Sequence, residues 1–284
     1  MRISTAIGFF GPAAVMAAVF AGTALAQVAN GPDAPAAETR LAPRRHGPVK
    51  IHGRRPDNTV DSENWSGYAV TGSSFTHVTG SWTVPSVNCS VTPGTRSSPA
   101  YSSFWVGIDG YSSSTVEQIG TDSDCDGTTP TYYAWYEFYP ANSYEIASIR
   151  VSPNDEMSAQ VSYSGSEFTV TITDVTTGRS YSKTESVRKA ERSSAEWIAE
   201  APCCARGGAF LPLSDFGMVL FGLDSTEVNN TNYATDGSTS GPIGAFPIAS
   251  VQQIDMVTSS GAVEDTASAL SHDGTSFSVT WDSE

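Results

Sequence analysis

At 284 residues and a formal net charge of −15, the chain is long enough for one large β domain and too acidic to bind a nucleic acid, whose polyanionic backbone it would repel. Recurring short runs of Val, Thr, Ser and Tyr, broken by Gly, Pro, Asn and Asp, are the composition of strands and turns rather than helices. Four histidines and no C-x-x-C or H-E-x-x-H motif argue against the common zinc sites, and neither a metal nor a cofactor is expected.

The first 26 residues have a secretory layout: Arg2, an apolar stretch from Ile7 to Ala21, and Ala24-Leu25-Ala26 ahead of Gln27. Gly8, Gly11 and Pro12 interrupt the apolar stretch, which is short for a membrane span. The expectation is a signal peptide over 1–26 and a product secreted from the cell, free of the membrane and by default a monomer. Cys89, Cys125, Cys203 and Cys204 all follow that signal, so disulfides are expected. Of the three possible pairings, one containing Cys89–Cys125 is favoured because Cys203 and Cys204 are adjacent.

Residues 27–56 carry six basic side chains (Arg40, Arg44, Arg45, Lys50, Arg54 and Arg55) against Asp33 and Glu38. Removing these and Arg2 from the chain totals leaves 8 basic and 28 acidic residues from Asp57 onward, a net of −20. The basic stretch is rich in Ala, Pro and Arg, has no apolar periodicity and cannot fold alone. It is expected to be a propeptide that lies in the cleft of the acidic domain 57–284 and inhibits it until acid neutralises the carboxylates.

From Ser62 the chain reads as strand after strand: 65–71, 76–84, 102–108, 131–139, 146–151, 157–163, 168–174, 180–186, 195–200, 216–222, 248–257 and 276–281. So many short strands predict an all-β sandwich or barrel. In 133–139, period two places Tyr133, Trp135, Glu137 and Tyr139 on one face and Ala134, Tyr136 and Phe138 on the other. A face that combines a carboxylate with three large rings suits a substrate cleft better than open solvent. In 195–200, Glu196, Ile198 and Glu200 likewise share a face opposite Ala195, Trp197 and Ala199.

Other hydrolytic machineries fail on their motifs. G-x-S-x-G is absent, and a Ser-His-Asp triad would have to use His77 or His272, neither in a motif. The nearest approach to a pepsin-like segment, Leu223-Asp224-Ser225-Thr226, lacks its glycine, and disulfide pairing of the thiols disfavours cysteine catalysis.

Four segments in order carry a specific resemblance: Trp105-Val106-Gly107-Ile108-Asp109-Gly110, Val116-Glu117-Gln118-Ile119-Gly120, Tyr133-Ala134-Trp135-Tyr136-Glu137-Phe138-Tyr139-Pro140 and Ala195-Glu196-Trp197-Ile198-Ala199-Glu200. With Asn64-Trp65-Ser66-Gly67-Tyr68 and Gly80-Ser81-Trp82-Thr83-Val84-Pro85, the chain from Asn64 to its end resembles the glutamic peptidases, or eqolisins. The resemblance implies a sandwich of two antiparallel sheets, similar to lectin-like jelly rolls, with the site on the concave face. It implies a catalytic glutamine at Gln118 and a catalytic glutamate at Glu200, with Trp105, Asp109, Trp135 and Glu137 lining or supporting the site and polypeptides as substrates. A carboxylate that takes a proton from water, beside an amide that never titrates, can work in acid where an imidazole base would be protonated. The rival expectation is a carbohydrate-active or carbohydrate-binding lectin-like sandwich. Glu196 and Glu200, four residues apart on one strand, are about 13 Å apart, too far for a glycosidase pair, whereas Glu137 and Glu200 could lie closer across strands.

Overall fold

In a computed structural model the described residues are 38–40, 44–91, 99–203 and 209–283. The expected signal peptide, residues 27–37 of the expected propeptide and Cys204 lie outside them. Seven antiparallel strands form the sheet that carries the site, in the order Val251–Val257, Trp65–Thr71, Ser194–Glu200, Ser103–Ile108, Val116–Asp126, Thr129–Tyr139 and Tyr144–Ile146. A second antiparallel sheet runs Arg179–Glu185, Glu167–Asp174, Glu156–Ser164, Phe75–Thr83, Tyr233–Asp236 and Thr239–Pro242. Met218–Phe221, Phe277–Trp281 and Val263–Ala267 lace Phe75–Thr83 to Val251–Val257, so the sheets join along one side.

Period two decides which side chains fill the space between the sheets. Phe104, Val106, Ile108, Ile119, Ala195 and Trp197 from the first sheet pack with Val78, Trp82, Met157, Val161, Val170 and Ile172 from the second. The opposite face of the first sheet holds a smaller cluster of Trp65, Trp105, Trp135, Val116 and Ile198. This is the expected sandwich, and the two faces of 133–139 and 195–200 separate as their alternation requires.

Most predicted strands lie within a few residues of the observed ones. The exception is 146–151, where the strand is Tyr144–Ile146 and a turn follows. Several strands escaped the sequence reading, among them Val116–Asp126, Tyr233–Asp236, Thr239–Pro242 and Val263–Ala267. Within the basic segment, Ile51–Arg54 forms a strand by pairing with Val60–Ser62, which itself lies parallel to Val251–Val257. The segment thus borrows its order from the domain, and both belong to one compact unit, Ala36–Glu284.

The expected bond between Cys89 and Cys125 is present, and Cys203 is also disulfide-bonded. Cys89–Cys125 closes a loop of separation 36 and ties the 84–91 segment to the end of Val116–Asp126. Substituting both cysteines by serine is expected to cost about 4 kcal/mol by loop-closure entropy, readable as a lowered midpoint in urea unfolding.

Candidate active site

Register across the first sheet sets the cleft floor. One row runs Glu196, Gly107, Gln118, Glu137; the next runs Ile198, Trp105, Gly120, Trp135; the third runs Glu200, Ser103, Asp122, Tyr133. Gly120 is required by close approach: a Cβ there would lie 2.3 Å from the Phe104 carbonyl oxygen and 2.6 Å from Trp105 Cβ. Without a side chain at this point, the floor stays open between the two tryptophans.

Four of the six site residues expected from the sequence converge on one residue of the basic segment, His46, and a fifth, Trp105, lies behind Glu200. The Gln118 side-chain amide donates to the His46 carbonyl oxygen. Glu200 Oε2 lies 3.3 Å from His46 Nδ1 and accepts a hydrogen bond of 2.8 Å from Trp105 Nε1. The His46 backbone N–H donates to Glu137 Oε2 at 2.7 Å, and its ring stacks on Trp135 with centroids 3.6 Å apart. Gln118, Glu200, Glu137 and His46 are all 0% exposed.

Asp109 does something else. Its carboxylate accepts from the backbone N–H groups of Glu191, Arg192 and Ser193 at 2.7–2.8 Å, and it holds the turn that launches Ser194–Glu200. Asp109 therefore supports the strand that carries Glu200 and does not face the groove centre. Asp109→Ala would remove the acceptor of three part-buried backbone donors and is expected to destabilise the fold by about 2 kcal/mol, measured by chemical denaturation.

Arg44, two residues before His46, has a built environment. Its guanidinium hydrogen-bonds Asp124 at 2.7 Å, lies 3.9 Å from Asp122, and sits over the Tyr101 and Tyr133 rings at 4.5 and 5.3 Å. Tyr133 Oη donates to Asp122 and to Asp124, at 2.5 and 2.8 Å. Arg45 pairs its backbone with Cys203 in an antiparallel bridge. The sequence reading missed His46, Arg44, Asp122 and Asp124 as site residues. The available signal was period two, which continues from Gln118 through Gly120 to Asp122 and Asp124.

Electrostatics follow from burial. Burial raises the Glu200 carboxyl well above its usual value; the Trp105 N–H opposes this and Glu137 reinforces it. Burial lifts Glu137 to about 8, opposed by the His46 N–H and by Arg45. His46 is pushed well below the normal imidazole value by burial and by Arg44. The covered site therefore holds mostly neutral groups, an arrangement a buried cleft tolerates better than free charges.

Residues 63–272 match the Peptidase A4 family. Aspergillopepsin-2 of Aspergillus niger is 32% identical over 232 residues, covering 72% of this chain and 79% of that protein. The solved scytalido-glutamic peptidase with a transition state analog inhibitor superposes with a TM-score of 0.63 at 26% identity, over 78% of this chain and 98% of that one. The eqolisin SCP-B, solved in a complex with the tripeptide Ala-Ile-His, superposes at 0.59 with the same identity and coverage.

Proposed function

Because this chain belongs to the Peptidase A4 family of glutamic peptidases, we propose that it is an acid-active endopeptidase whose Glu200 activates water and whose Gln118 amide holds the oxyanion. The observation that carries this reading is that the two side chains, 82 positions apart in sequence, engage the same residue, His46, one at its carbonyl and the other at its imidazole. A carbonyl at the Gln118 amide is where a scissile carbonyl would need its donor. Glu200 Oε1 and Gln118 Oε1 have no hydrogen-bond partner, which leaves each an acceptor for an attacking water. Water attacks the carbonyl carbon as Glu200 takes its proton, and the same carboxyl then protonates the leaving nitrogen. Once the basic segment leaves, solvent reaches Glu200 and its carboxyl returns toward the ordinary range, so that a larger share of it is ionised in acid. Digestion of a denatured protein at pH 3, insensitive to pepstatin, is the expected result; inhibition by pepstatin would point to an aspartate dyad and overturn the assignment.

The reading extends to a secreted precursor: signal peptide 1–26, inhibitory basic segment 27–56 and peptidase domain 57–284, acting outside the cell as a monomer on polypeptides. Among the described residues no helix is long and apolar enough to cross a membrane. Support for inhibition comes from the position of His46 over both catalytic side chains.

Acid release follows from His46 as well as from carboxylate neutralisation. The groups facing its ring and backbone are Glu200, Glu137, Gln118 and Trp135 of the sheet and Arg44 of its own segment. Because the imidazole value is depressed when covered, His46 makes the segment's hold weaken as pH falls below about 6.5, by up to tenfold per unit, whereas Glu200, whose value covering raises, contributes in the opposite direction. Glu63 acts in the same direction as His46: its value is lowered by the hydrogen bond from Lys50, so that contact fades as pH drops below the ordinary carboxylate range. The inhibition constant of a 44–56 peptide against matured enzyme should therefore rise more steeply from pH 6 to pH 4 than that of the same peptide with His46→Gln. Equal slopes for the two peptides would remove His46 from this role.

A further inference from the structure

We propose that the basic segment is threaded through the cleft as a substrate, and that the first bond the site cuts is its own His46–Gly47 bond. The inference rests on the peptidase reading above and adds to it a bond, a register and an order of events. The chain is tied down on both sides of that bond. On the acyl side, Arg44 fills the Asp122, Asp124, Tyr101 and Tyr133 pocket. Arg45 exchanges backbone hydrogen bonds with Cys203 at 2.5 and 2.9 Å, and the His46 N–H is held by Glu137. On the leaving side, the Pro48 oxygen accepts from Asn64 Nδ2 at 3.2 Å, the Val49 N–H donates to the Gly110 oxygen at 3.1 Å, and the Lys50 N–H donates to Asn64 Oδ1 at 2.8 Å. The carbonyl that reaches the Gln118 amide is that of His46, which selects one bond out of this stretch.

The alternative cut point in the segment is the turn 55–58, where Pro56, Asp57 and Asn58 are exposed. That turn closes a hairpin between Ile51–Arg54 and Val60–Ser62. It would have to unpair to lie extended in a cleft already occupied by the same chain, so it suits attack by a second molecule. His46–Gly47 suits attack in the same molecule.

In the self-cut, a water oxygen adds to the His46 carbonyl carbon while the ionised fraction of Glu200, smaller than in the open cleft because burial favours its neutral form, accepts its proton and Gln118 holds the developing oxyanion. The C–N bond then breaks as Glu200 returns the proton to the Gly47 nitrogen. The products are a peptide ending in the His46 carboxyl group and a domain beginning at Gly47, whose residues 51–54 keep their strand pairing. The released carboxylate then faces Glu137 and Glu200, an arrangement that favours departure of the peptide. Arg44 acts as a positioning residue: its pocket fixes which carbonyl reaches Gln118.

The test is to hold the full secreted chain at neutral pH, shift it to pH 4, quench at intervals and read intact mass and N-terminal sequence, at two concentrations twentyfold apart. The expected result is a first product starting at Gly47, formed with the same rate constant at both concentrations and absent from Gln118→Ala. Arg44→Gln should slow this cut tenfold or more and scatter the new N-termini, which a merely structural role would not do. A first cut elsewhere, or a rate constant that scales with concentration, overturns the inference. A preparation that digests denatured protein at pH 3 while His46–Gly47 stays whole overturns it and leaves the peptidase reading standing. One that cuts neither overturns both.

Discussion

Glu200→Gln in the matured enzyme is expected to abolish measurable turnover at pH 3 to 4, and Gln118→Ala to lower kcat about 100- to 1000-fold, with both proteins folded. The reasoning separates two functions. At Glu200 a glutamine keeps the shape and can still accept the Trp105 N–H bond that now goes to Oε2, but it cannot carry a proton from water to the leaving nitrogen. General acid–base catalysis typically contributes 100- to 10,000-fold, and here one group serves both halves of the reaction. At Gln118 the loss is of one donor to a developing oxyanion, about 3 to 4 kcal/mol, and KM should change less than kcat because the donor matters most in the transition state. Gln118→Glu adds a discriminating case. A protonated carboxyl can donate and an ionised one cannot, so residual activity should be confined to strong acid, with a falling limb displaced to lower pH than in the parent. Activity of Glu200→Gln within tenfold of the parent, with native near-UV circular dichroism, would reassign the base.

How much of this was legible beforehand depends on which rows of the sheet carry apolar side chains. The strands at 65–71, 133–139 and 195–200 announce themselves because one face alternates large apolar residues, and their observed bounds differ little from expectation. Val116–Asp126 did not, although it carries the glutamine of the site. Its groove face reads Gln118, Gly120, Asp122 and Asp124 and its inner face includes Glu117, Thr121 and Ser123, so no apolar alternation marks it. A central strand can be this polar because its neighbours pair part of it: Trp82 Nε1 donates to Thr121 Oγ1, Tyr133 to Asp122 and Asp124, and Arg44 to Asp124. Motif resemblance, rather than strand pattern, located Gln118. His46 was illegible for another reason. It lies in a stretch whose composition says only that it cannot fold by itself, and its role exists only where the domain supplies Trp135, Glu137 and Glu200. The basic charge of the segment did foretell an acidic partner surface, and Arg44, Lys50 and Arg55 each meet carboxylates, at Asp124, Glu63 and the pair Asp61 and Asp255.

The fold should be more stable in acid than at neutrality, with the apparent Tm of the chain roughly 5–10 °C higher at pH 4 than at pH 7. Glu117, Glu196 and Asp265 are fully buried, and the Thr115, Ser194 and Ser66 hydroxyls with the backbone of Tyr111 and Met256 offset the cost of that burial only in part. Burial raises each well above the ordinary carboxyl range, with neighbouring acids adding to the effect: Asp109 beside Glu117, Asp109 and Glu117 beside Glu196, and Glu264 and Asp255 beside Asp265. No cation contributes at any of the three. A group whose folded value lies above its unfolded one binds more protons in the fold. Its stabilising effect is complete below the unfolded value near 4 and is lost as pH rises through the folded value, at about 1.4 kcal/mol for each pH unit over which that proton is held only in the fold. His46 works against this trend, since its value is depressed, but it is one group against three and leaves with the basic segment. Melting should therefore be followed on matured enzyme, with Glu117→Gln and Glu196→Gln each flattening the dependence and raising the neutral Tm, because an amide of the same shape needs no proton. A Tm that climbs from pH 4 to pH 7 would mean these carboxyls are ionised and compensated in the fold. The acid working range would then have to come from the catalytic groups alone, without help from the scaffold.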